Sequence, residues 1–520
     1  MRIAALDLGS NSFHLLVADV RPDRTFTRVA REKDMLRLGD EVARHGRVTE
    51  AVAERAVTSV RNLCALAEAL GAREVLAKAT SAIRSAANGS ELVDRIERET
   101  GVEIEVIDGR EEARLIFGAI RASVVIDPAP ALGVDIGGGS VELMVGDAGG
   151  LADALSLPLG VGRLTAECME SDPPSKVDRR RLAERIGATL DPAIGPLLAL
   201  GPRSAIGTSG TLNDLVRMAV ALHADETPSA VNALTATRAQ LEALHEVIML
   251  ATTSERRRLP GLEEPRRAEL LPAGSTLALA VLDAFELDAL TAADWALREG
   301  IVLDAVGAHD PDDWSDDPYA LRRASVLDLA RRCGSDGDHT AQVARLALRL
   351  FDETAELHGL APADREVLED AALLHDIGQH VSRKGHHRHA AYLVEHGELR
   401  GFDPDEIAFL AALVQHHRRG DPKASEPRFG ALDANDRERL RRMAAILRVA
   451  DGLDRGRRGA VTDLRARIGT DLVTLSLDAP DDDALELERW GVRRRRELFE
   501  RVFERELEVA EPRRESVIPD

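Results

Sequence analysis

The sequence predicts an α/β protein of two duplicated halves, followed by an all-α domain and a small α+β appendage. Three observations carry this. The stretch LDLGSNSFHLLVA at 6–18 returns as VDIGGGSVELMVG at 134–146, placing Asp7 and Asp135 128 positions apart. After each copy the order of elements repeats, with three meandering strands first and then helices alternating with single strands. That alternation ends at about residue 320, and the pattern is almost purely helical to about 456, where the histidines concentrate.

The first half reads as strands near 3–8, 12–20, 26–34, 74–79 and 103–107. A helix over 50–70 carries Val52, Ala56, Val57, Val60, Leu63, Leu66, Ala67 and Leu70 at helical spacing and stops at Gly71. Cys64 lies on that stripe and is expected in the core. The second half reads as strands near 131–136, 140–146 and 151–158, then a helix at about 176–200. Strands at Arg203–Ile206 and Ala289–Asp294 follow, with a last helix from Leu297. The acidic, proline-bearing HDPDDWSDDPYA at 309–320 reads as a linker. In the tail, Val461–Leu477 reads as two strands, DAPDDD as a turn, and 490–509 as one charged amphipathic helix. The expected domains are 1–125, 126–308, 319–458 and 459–520.

At 520 residues, 44% apolar and 30% charged, the chain can build several cores. Aromatics are only 3%, so stacking of bases or sugars on aromatic platforms is not a theme. The net charge of −22 repels polyanions and argues against a general nucleic-acid binder. It leaves room for an anionic substrate in a locally basic cleft with Mg2+. MRIAALDLGS does not read as a signal peptide, and no apolar run reaches membrane length. Cys64, Cys168 and Cys333 form no CxxC. A cytoplasmic protein without disulfides, and with neither membrane nor nucleic acid as partner, is expected.

DLGSNS (7–12) and DIGGGS (135–140) each join two strands through small residues. At Gly9, Ser10, Asn11, Gly137, Gly138, Gly139 and Ser140, backbone N–H groups can approach phosphate oxygens, and the leading Asp7 or Asp135 can hold Mg2+. One such loop is an ordinary hairpin. Two in matched positions suggest one site built from two halves, because ligands of α/β sheets sit at the carboxyl ends of strands. GTSGT at 207–211 sets Thr208, Ser209 and Gly210 at a helix start, which suits either phosphate or a simple cap. ATSAIRSAAN at 79–88 sets Ser81 and Arg84 at another such start, and Arg grips phosphate oxygens at two points. In GREEARLIFGAI at 109–120, Glu111 and Glu112 suit a helix N-terminus, or one of them activates a water for attack on phosphorus. Glu142 shares a strand face with Ser140 and Met144, either at an edge or in the cleft.

Taken together, DLGSNSFHLLVA, ATSAIR, EEARLIFGAI, VDIGGGSVEL, LPLGVGRLT, GTSGT, LPAG and ALREGIV resemble the exopolyphosphatase / guanosine pentaphosphate phosphohydrolase (Ppx/GppA) family, over roughly 1–305. The resemblance implies two duplicated actin-like (RNase H-like) ATPase-type domains. It implies that Glu112 is the catalytic base and that Asp135 and Glu142, with Asp7, hold Mg2+ and the attacking water. It places Asp7, Ser10, Asn11, Ser81, Arg84, Gly137–Ser140 and Thr208–Gly210 around the phosphates. One departure is Val141, where the family often has Thr.

In the helical half, GDHTAQVA gives His339, AALLHDIG gives His375 and Asp376, and GHHRHAAYL gives His386, His387 and His389. LVQHHRR adds His416 and His417, and ILRVADGLDR adds Asp451. Imidazole and carboxylate suit divalent metals. An upstream His, an adjacent His-Asp and a downstream Asp resemble the HD metal-dependent phosphohydrolases. That resemblance implies a metal on His339, His375, Asp376 and Asp451, with His389 and His416 adding a second metal or touching phosphate. His358 and His396 read as ordinary satisfied histidines. The long members of the exopolyphosphatase family have such a region, often without its metal residues, whereas this chain retains them.

The expected function is Mg2+-dependent release of terminal phosphate from inorganic polyphosphate. The alternatives are hydrolysis of guanosine pentaphosphate to tetraphosphate, or sensing of polyphosphate or alarmone by a chain with an HD phosphohydrolase domain. A homodimer is expected from the resemblance.

Overall fold

The structure is a computed structural model that describes residues 1–21, 26–126, 129–224, 227–228, 230–307, 320–335, 337–418, 420–480 and 485–510. It divides into two compact units, Met1–Tyr319 and Ala320–Asp520. The expected linker at 309–320, except Ala320 where a helix begins, and residues 481–483 of the expected acidic turn lie outside the described residues.

In the first unit, β1 (Arg2–Leu8), β2 (Ser12–Val20), β3 (Phe26–Met35), β4 (Val75–Ala79) and β5 (Ile104–Val106) form one sheet in the order β3-β2-β1-β4-β5. The first three are antiparallel, while β4 runs parallel to β1 and β5 parallel to β4. The second sheet contains β6 (Ala131–Ile136), β7 (Val141–Asp147), β8 (Gly150–Leu157), β9 (Ser204–Thr208), β10 (Thr235–Thr237) and β11 (Ala289–Ala292). Its order, β8-β7-β6-β9-β11-β10, repeats the first sheet and adds one edge strand. The duplication read from the sequence is therefore present. The short β10, antiparallel to β11, had no sequence signal beyond three residues of Thr and Ala.

The register makes the two halves equivalent in detail. Asp7 pairs with His14 across β1 and β2, and Asp135 pairs with Glu142 across β6 and β7. Alternate residues of β1 feed two cores, because side chains alternate across a sheet. Ala4 and Leu6 pack with Ala56, Val57 and Val60 of the helix Glu50–Ala69, and Cys64 packs partly buried at that core. Ile3 and Ala5 pack with Leu115, Ile116 and Phe117 of the helix Gly109–Arg121.

The helix Gly109–Arg121 is central. Its core also takes Ala131, Met144 and Ile206 from the second sheet, and Ile301 and Val302 from the helix Leu297–Ala305. Asp108 caps it by accepting from the N–H groups of Arg110 and Glu111. The two helices touch so closely that a Cβ on Gly300 would stand 2.2 Å from the Leu115 carbonyl oxygen. Glu112 is thus mounted where the two halves join.

The helix expected at 176–200 is interrupted. It runs Lys176–Leu190, starts in a Ser175 capping box, and resumes only as Gly195–Leu198. Pro192 lacks an N–H and cannot continue the ladder.

The second unit packs the helices Ala320–Arg332, Gly337–Glu353, Asp364–Leu374, His386–His396, Pro404–Gln415 and Ala434–Leu453 around one apolar core. The same core takes Leu464 of β12 (Asp463–Ile468), Val473 and Leu475 of β13 (Leu472–Asp478), and Leu507 of β14 (Glu506–Val509). The order is β12-β13-β14, with β14 parallel to β13. The single helix expected over 490–509 is not formed. Helices Glu486–Arg495 and Glu497–Phe503 occupy its place, Glu504 turns left-handed at φ 53°, and 506–509 pairs as a strand. Leu507 buries in the core only in that extended pairing.

Candidate functional sites

The two glycine loops and the Ser81 turn meet in one place. A Cβ on Gly139 would stand 2.8 Å from Ser10 Oγ and 2.9 Å from Ser81 Oγ, and one on Gly138 would stand 2.4 Å from the Asn11 side chain. Ser10 Oγ accepts from the Ala82 N–H at 3.1 Å, tying the first loop to the helix Ser81–Ser85. The Gly138 carbonyl accepts from the N–H groups of Gly162 and Arg163, so the GVGRLT segment cradles the second loop. Motifs far apart in sequence are thereby in contact. Gly9 and Gly137 form the turns that open the two loops, with the Gly137 N–H donating to the Ser140 carbonyl.

Two buried carboxylates, Glu112 and Glu142, and two half-buried ones, Asp7 and Asp135, stand at this point. Glu112 is 6% exposed, and Arg84 Nη1 donates to it at 3.1 Å while also donating to the Ile107 carbonyl at 2.6 Å. Glu142 is 1% exposed and accepts from Ser156 Oγ at 2.7 Å. The edge-exposed alternative for Glu142 is therefore excluded. Burial pushes the Glu112 carboxyl well above its ordinary range, and the charge of Glu142 adds to this against the pull of Arg84. Asp135 is raised by burial and by Glu142 and Asp7. Glu142 is raised by burial, against the hydroxyls of Ser156 and Ser140. Asp7 is pushed up to about 7, again by burial, with Arg298 opposing.

The fit for a divalent cation is specific in kind. Asp7 Oδ1 and Asp135 Oδ1 are buried and have no hydrogen-bond partner. Yet Asp7, Asp135 and Glu142 do not form a closed three-ligand cage: among the described residues, sets of three ligand atoms all within 4.8 Å of one another occur in the second unit. A hard cation that keeps its waters and takes one or two carboxylates plus phosphate oxygens, as Mg2+ does, suits that arrangement.

The GTSGT loop is more committed to the protein. Thr208 Oγ1 donates to the Trp295 carbonyl at 2.8 Å, and Ser209 Oγ caps the helix Gly210–Ala221 by accepting from the Leu212 N–H. Arg267 donates to the Gly210 carbonyl at 3.0 Å and to Asp214 at 2.7 Å, bringing a cation to this loop.

Sequence reasoning missed Ser156, His14 and Arg298. Arg298 donates to His14 Nδ1 at 3.0 Å, so a neutral His14 donates from Nε2 to Ser12 Oγ at 2.7 Å. Burial holds His14 well below its usual range, with Arg298, Lys33, Arg31 and Arg267 all acting in the same direction. A group of cations therefore stands beside the carboxylates. The usable signal was the register, since His14 repeats the position of Glu142.

In the second unit, His339, His375 and Asp376 bring ligand atoms together, and Asp376, His386 and His417 form an overlapping group. Asp451 Oδ1 lies 3.9 Å from His339 Nε2, so the four residues read from the sequence do assemble. His389 and His416 do not join them. On the helix His386–His396 the inward face is His386, Ala390 and Val394, at a spacing of four that His389 does not share. His416 Nε2 turns to Glu426 at 3.4 Å. His386 and His417 take their places beside Asp376, whereas His416, though buried, faces Glu426 instead. His358 is satisfied by the Phe351 carbonyl and the Leu360 N–H, as expected.

Loops shaped for phosphate beside buried acids define a phosphohydrolase class of site. Residues 16–309 match the Ppx/GppA phosphatase family and residues 321–492 match its domain III, so the chain belongs to the Ppx/GppA phosphatases, hydrolases of phosphoanhydride bonds. It is 35% identical over 304 residues to Exopolyphosphatase 1 of Mycobacterium tuberculosis, covering 58% of this chain and 88% of that protein. It is 29% identical over 478 residues to the guanosine-5'-triphosphate,3'-diphosphate pyrophosphatase of Vibrio vulnificus, covering 92% of each. Among solved structures, the exopolyphosphatase of Cytophaga hutchinsonii covers 59% of this chain and 98% of its own, at 29% identity and TM-score 0.54. The Aquifex aeolicus member of the family covers 60% and 99%, at 28% identity and TM-score 0.51.

Proposed function

We propose that the first unit is an exopolyphosphatase that releases the terminal phosphate of inorganic polyphosphate, with Glu112 as general base. The observation that carries the reading is the meeting of Ser10, Asn11, Ser81, Gly138 and Gly139 beside buried Glu112. Backbone N–H groups of the two loops and Arg84 hold the terminal phosphate. Glu112 orients a water in line with the phosphorus and takes its proton, and a carboxyl raised by burial is a better proton acceptor near neutral pH. The oxygen–phosphorus bond to water forms as the bond to the chain breaks, and the shortened chain carries away the negative charge. Asp7 and Asp135, with Glu142 behind them, would hold Mg2+, which supplies charge neutralisation for the phosphate oxygens when bound.

Arg31, Lys33, Arg267 and Arg298 around His14 favour a long anion, which supports the polymer as substrate. A second reading, hydrolysis of guanosine pentaphosphate, is favoured by the Vibrio relative that aligns along both units. Phosphate release from both substrates, side by side, with wild type and Glu112→Gln, tests these readings. Release from the nucleotide alone would move the function to alarmone turnover.

We further propose that the second unit is an HD-type domain holding a divalent metal on His339, His375, Asp376 and Asp451. A homodimer in the cytoplasm completes the reading, and a monomeric mass by light scattering would overturn the dimer. Free Cys64, Cys168 and Cys333 fit a reducing compartment. Among the described residues no helix is long and apolar enough to cross a membrane.

A further inference from the structure

We propose that Arg163 is a positioning residue for phosphate release: by holding the Gly139 carbonyl it turns the Ser140 N–H toward the terminal phosphate of the substrate. This rests on the reading of the second glycine loop as a phosphate site.

In a trans peptide the C=O and the following N–H point in opposite directions, so whatever holds a carbonyl also aims the next amide. The helix Val161–Cys168 holds three carbonyls of the loop in succession. The Val161 N–H donates to the Gly137 carbonyl at 3.0 Å, and those of Gly162 and Arg163 donate to that of Gly138 at 3.0 and 3.2 Å. Arg163 Nε donates to the Gly139 carbonyl at 3.3 Å. The N–H groups of Gly138, Gly139 and Ser140 are thereby aimed away from their carbonyls' partners. All three residues are buried, and among the described residues none of these amides has a hydrogen-bond acceptor. Adjacent buried donors without acceptors are costly, and an anion is the ligand that satisfies them together.

Helix and loop satisfy each other. The first turn of a helix has spare N–H groups, and an N-cap side chain commonly accepts from one of them. Here the N-cap is Gly160, where a Cβ would stand 2.3 Å from the Gly139 nitrogen. No capping side chain fits there, and the loop carbonyls serve instead. The first half is built in the same way from backbone alone. The Gly39 N–H donates to the Ser10 carbonyl at 2.8 Å, and those of Leu36 and Arg37 donate to that of Asn11 at 3.1 and 2.8 Å. Asn11 occupies in the first loop the place of Gly139 in the second. At that place Arg163 does with a side chain what main-chain donors do at Asn11, so one peptide of the second loop depends on a residue that mutation can change.

The guanidinium is steadied from its far side. Arg163 Nη1 lies 3.8 Å from Glu167 Oε1, one turn further along the helix, and Glu167 accepts from Arg185 Nε at 3.0 Å. The charge of Arg163 is therefore shared with Glu167, while Nε is given to the loop. A fixed donor aimed at the charge that develops in a transition state contributes about 10²–10³-fold. A Gly139–Ser140 peptide released from Arg163 can tilt, and part of that factor goes with it.

The test compares two substitutions of matched length in the full chain. In Arg163→Gln the side-chain amide nitrogen takes the place of Nε, so the donor stays and the charge goes. In Arg163→Met a methyl group stands there and donates nothing. Phosphate release from long-chain polyphosphate and from guanosine pentaphosphate is measured with Mg2+, and circular dichroism checks each fold. Arg163→Met should lower kcat about tenfold or more on whichever substrate the wild type cleaves, with KM less affected. Arg163→Gln should recover most of that loss, to within about threefold of wild type. Arg163→Met within about threefold of wild type overturns the proposal. So does an equal loss in both variants, which would make the guanidinium charge, and not the Nε donor, the acting part. Calorimetric binding of inorganic phosphate with Mg2+ separates this role from the proposed activity. If the wild type cleaves neither substrate yet binds phosphate, the exopolyphosphatase reading fails, and the affinities decide the role of Arg163: about tenfold weaker in Arg163→Met alone supports it, and equal affinity in Arg163→Met and wild type overturns it. A wild type that binds no phosphate overturns both.

Discussion

Replacing Glu112 with Gln isolates the proton-accepting role from the shape of the cleft. The amide has the same volume and can still accept from Arg84, which loses little because it also donates to the Ile107 carbonyl. Removing the charge eases repulsion with Glu142 and Asp135, so the fold should not suffer and stability should stay within about 1 kcal/mol of wild type. The loss falls on turnover. A positioned general base contributes about 10²–10⁴-fold, equivalent to roughly 3–5 kcal/mol of barrier. The phosphate-gripping groups are untouched, so kcat should fall by that factor with KM little changed. The assay is release of phosphate from long-chain polyphosphate and from guanosine pentaphosphate with Mg2+. A folded Glu112→Gln protein that keeps turnover within about threefold of wild type refutes the assignment.

The raised carboxyls make the metal-free first unit less stable as pH rises. Asp7 has a folded value of about 7 against an ordinary 3.8, so the folded state holds this proton more tightly. Its stabilising effect is full below about pH 4 and is lost by about pH 7, on the order of 4 kcal/mol at most. Melting curves in EDTA should show Asp7→Asn flattening that fall, with Mg2+ restoring wild type near pH 7; parallel curves for the two proteins would contradict it. Gly138→Ala places a Cβ 2.4 Å from the Asn11 side chain and should part the loops, lowering kcat/KM at least about tenfold at a cost of about 1–3 kcal/mol. Gly300→Ala drives a Cβ to 2.2 Å from the Leu115 carbonyl, so denaturant titration should show a loss of about 1–3 kcal/mol, and activity should drop with it because Glu112 rides on that helix; unchanged unfolding would show that the helices separate freely.

The sequence by itself determined the duplication, the succession of strands and helices along each half apart from β10, and the residues of both glycine loops. Those features are local: turn residues at fixed offsets, period-two strands, and helices with one apolar stripe. It also placed Glu112 at a helix start, yet left Glu111 an equal candidate on the residues alone. Tertiary structure separates them, because Asp108 caps the helix so that Glu112 turns inward to Arg84 while Glu111 pairs with Arg114. The same holds for the histidines. Every one of them was visible, but which member of each His-His pair faces Asp376 depends on how two helices rotate against a shared core. The tail shows the limit most plainly: residues 506–509 follow a charged helical pattern, and only β13, more than thirty residues earlier in the chain, offers the open edge that makes them a strand. Local spacing fixes which face a residue belongs to, whereas long-range packing decides what that face meets.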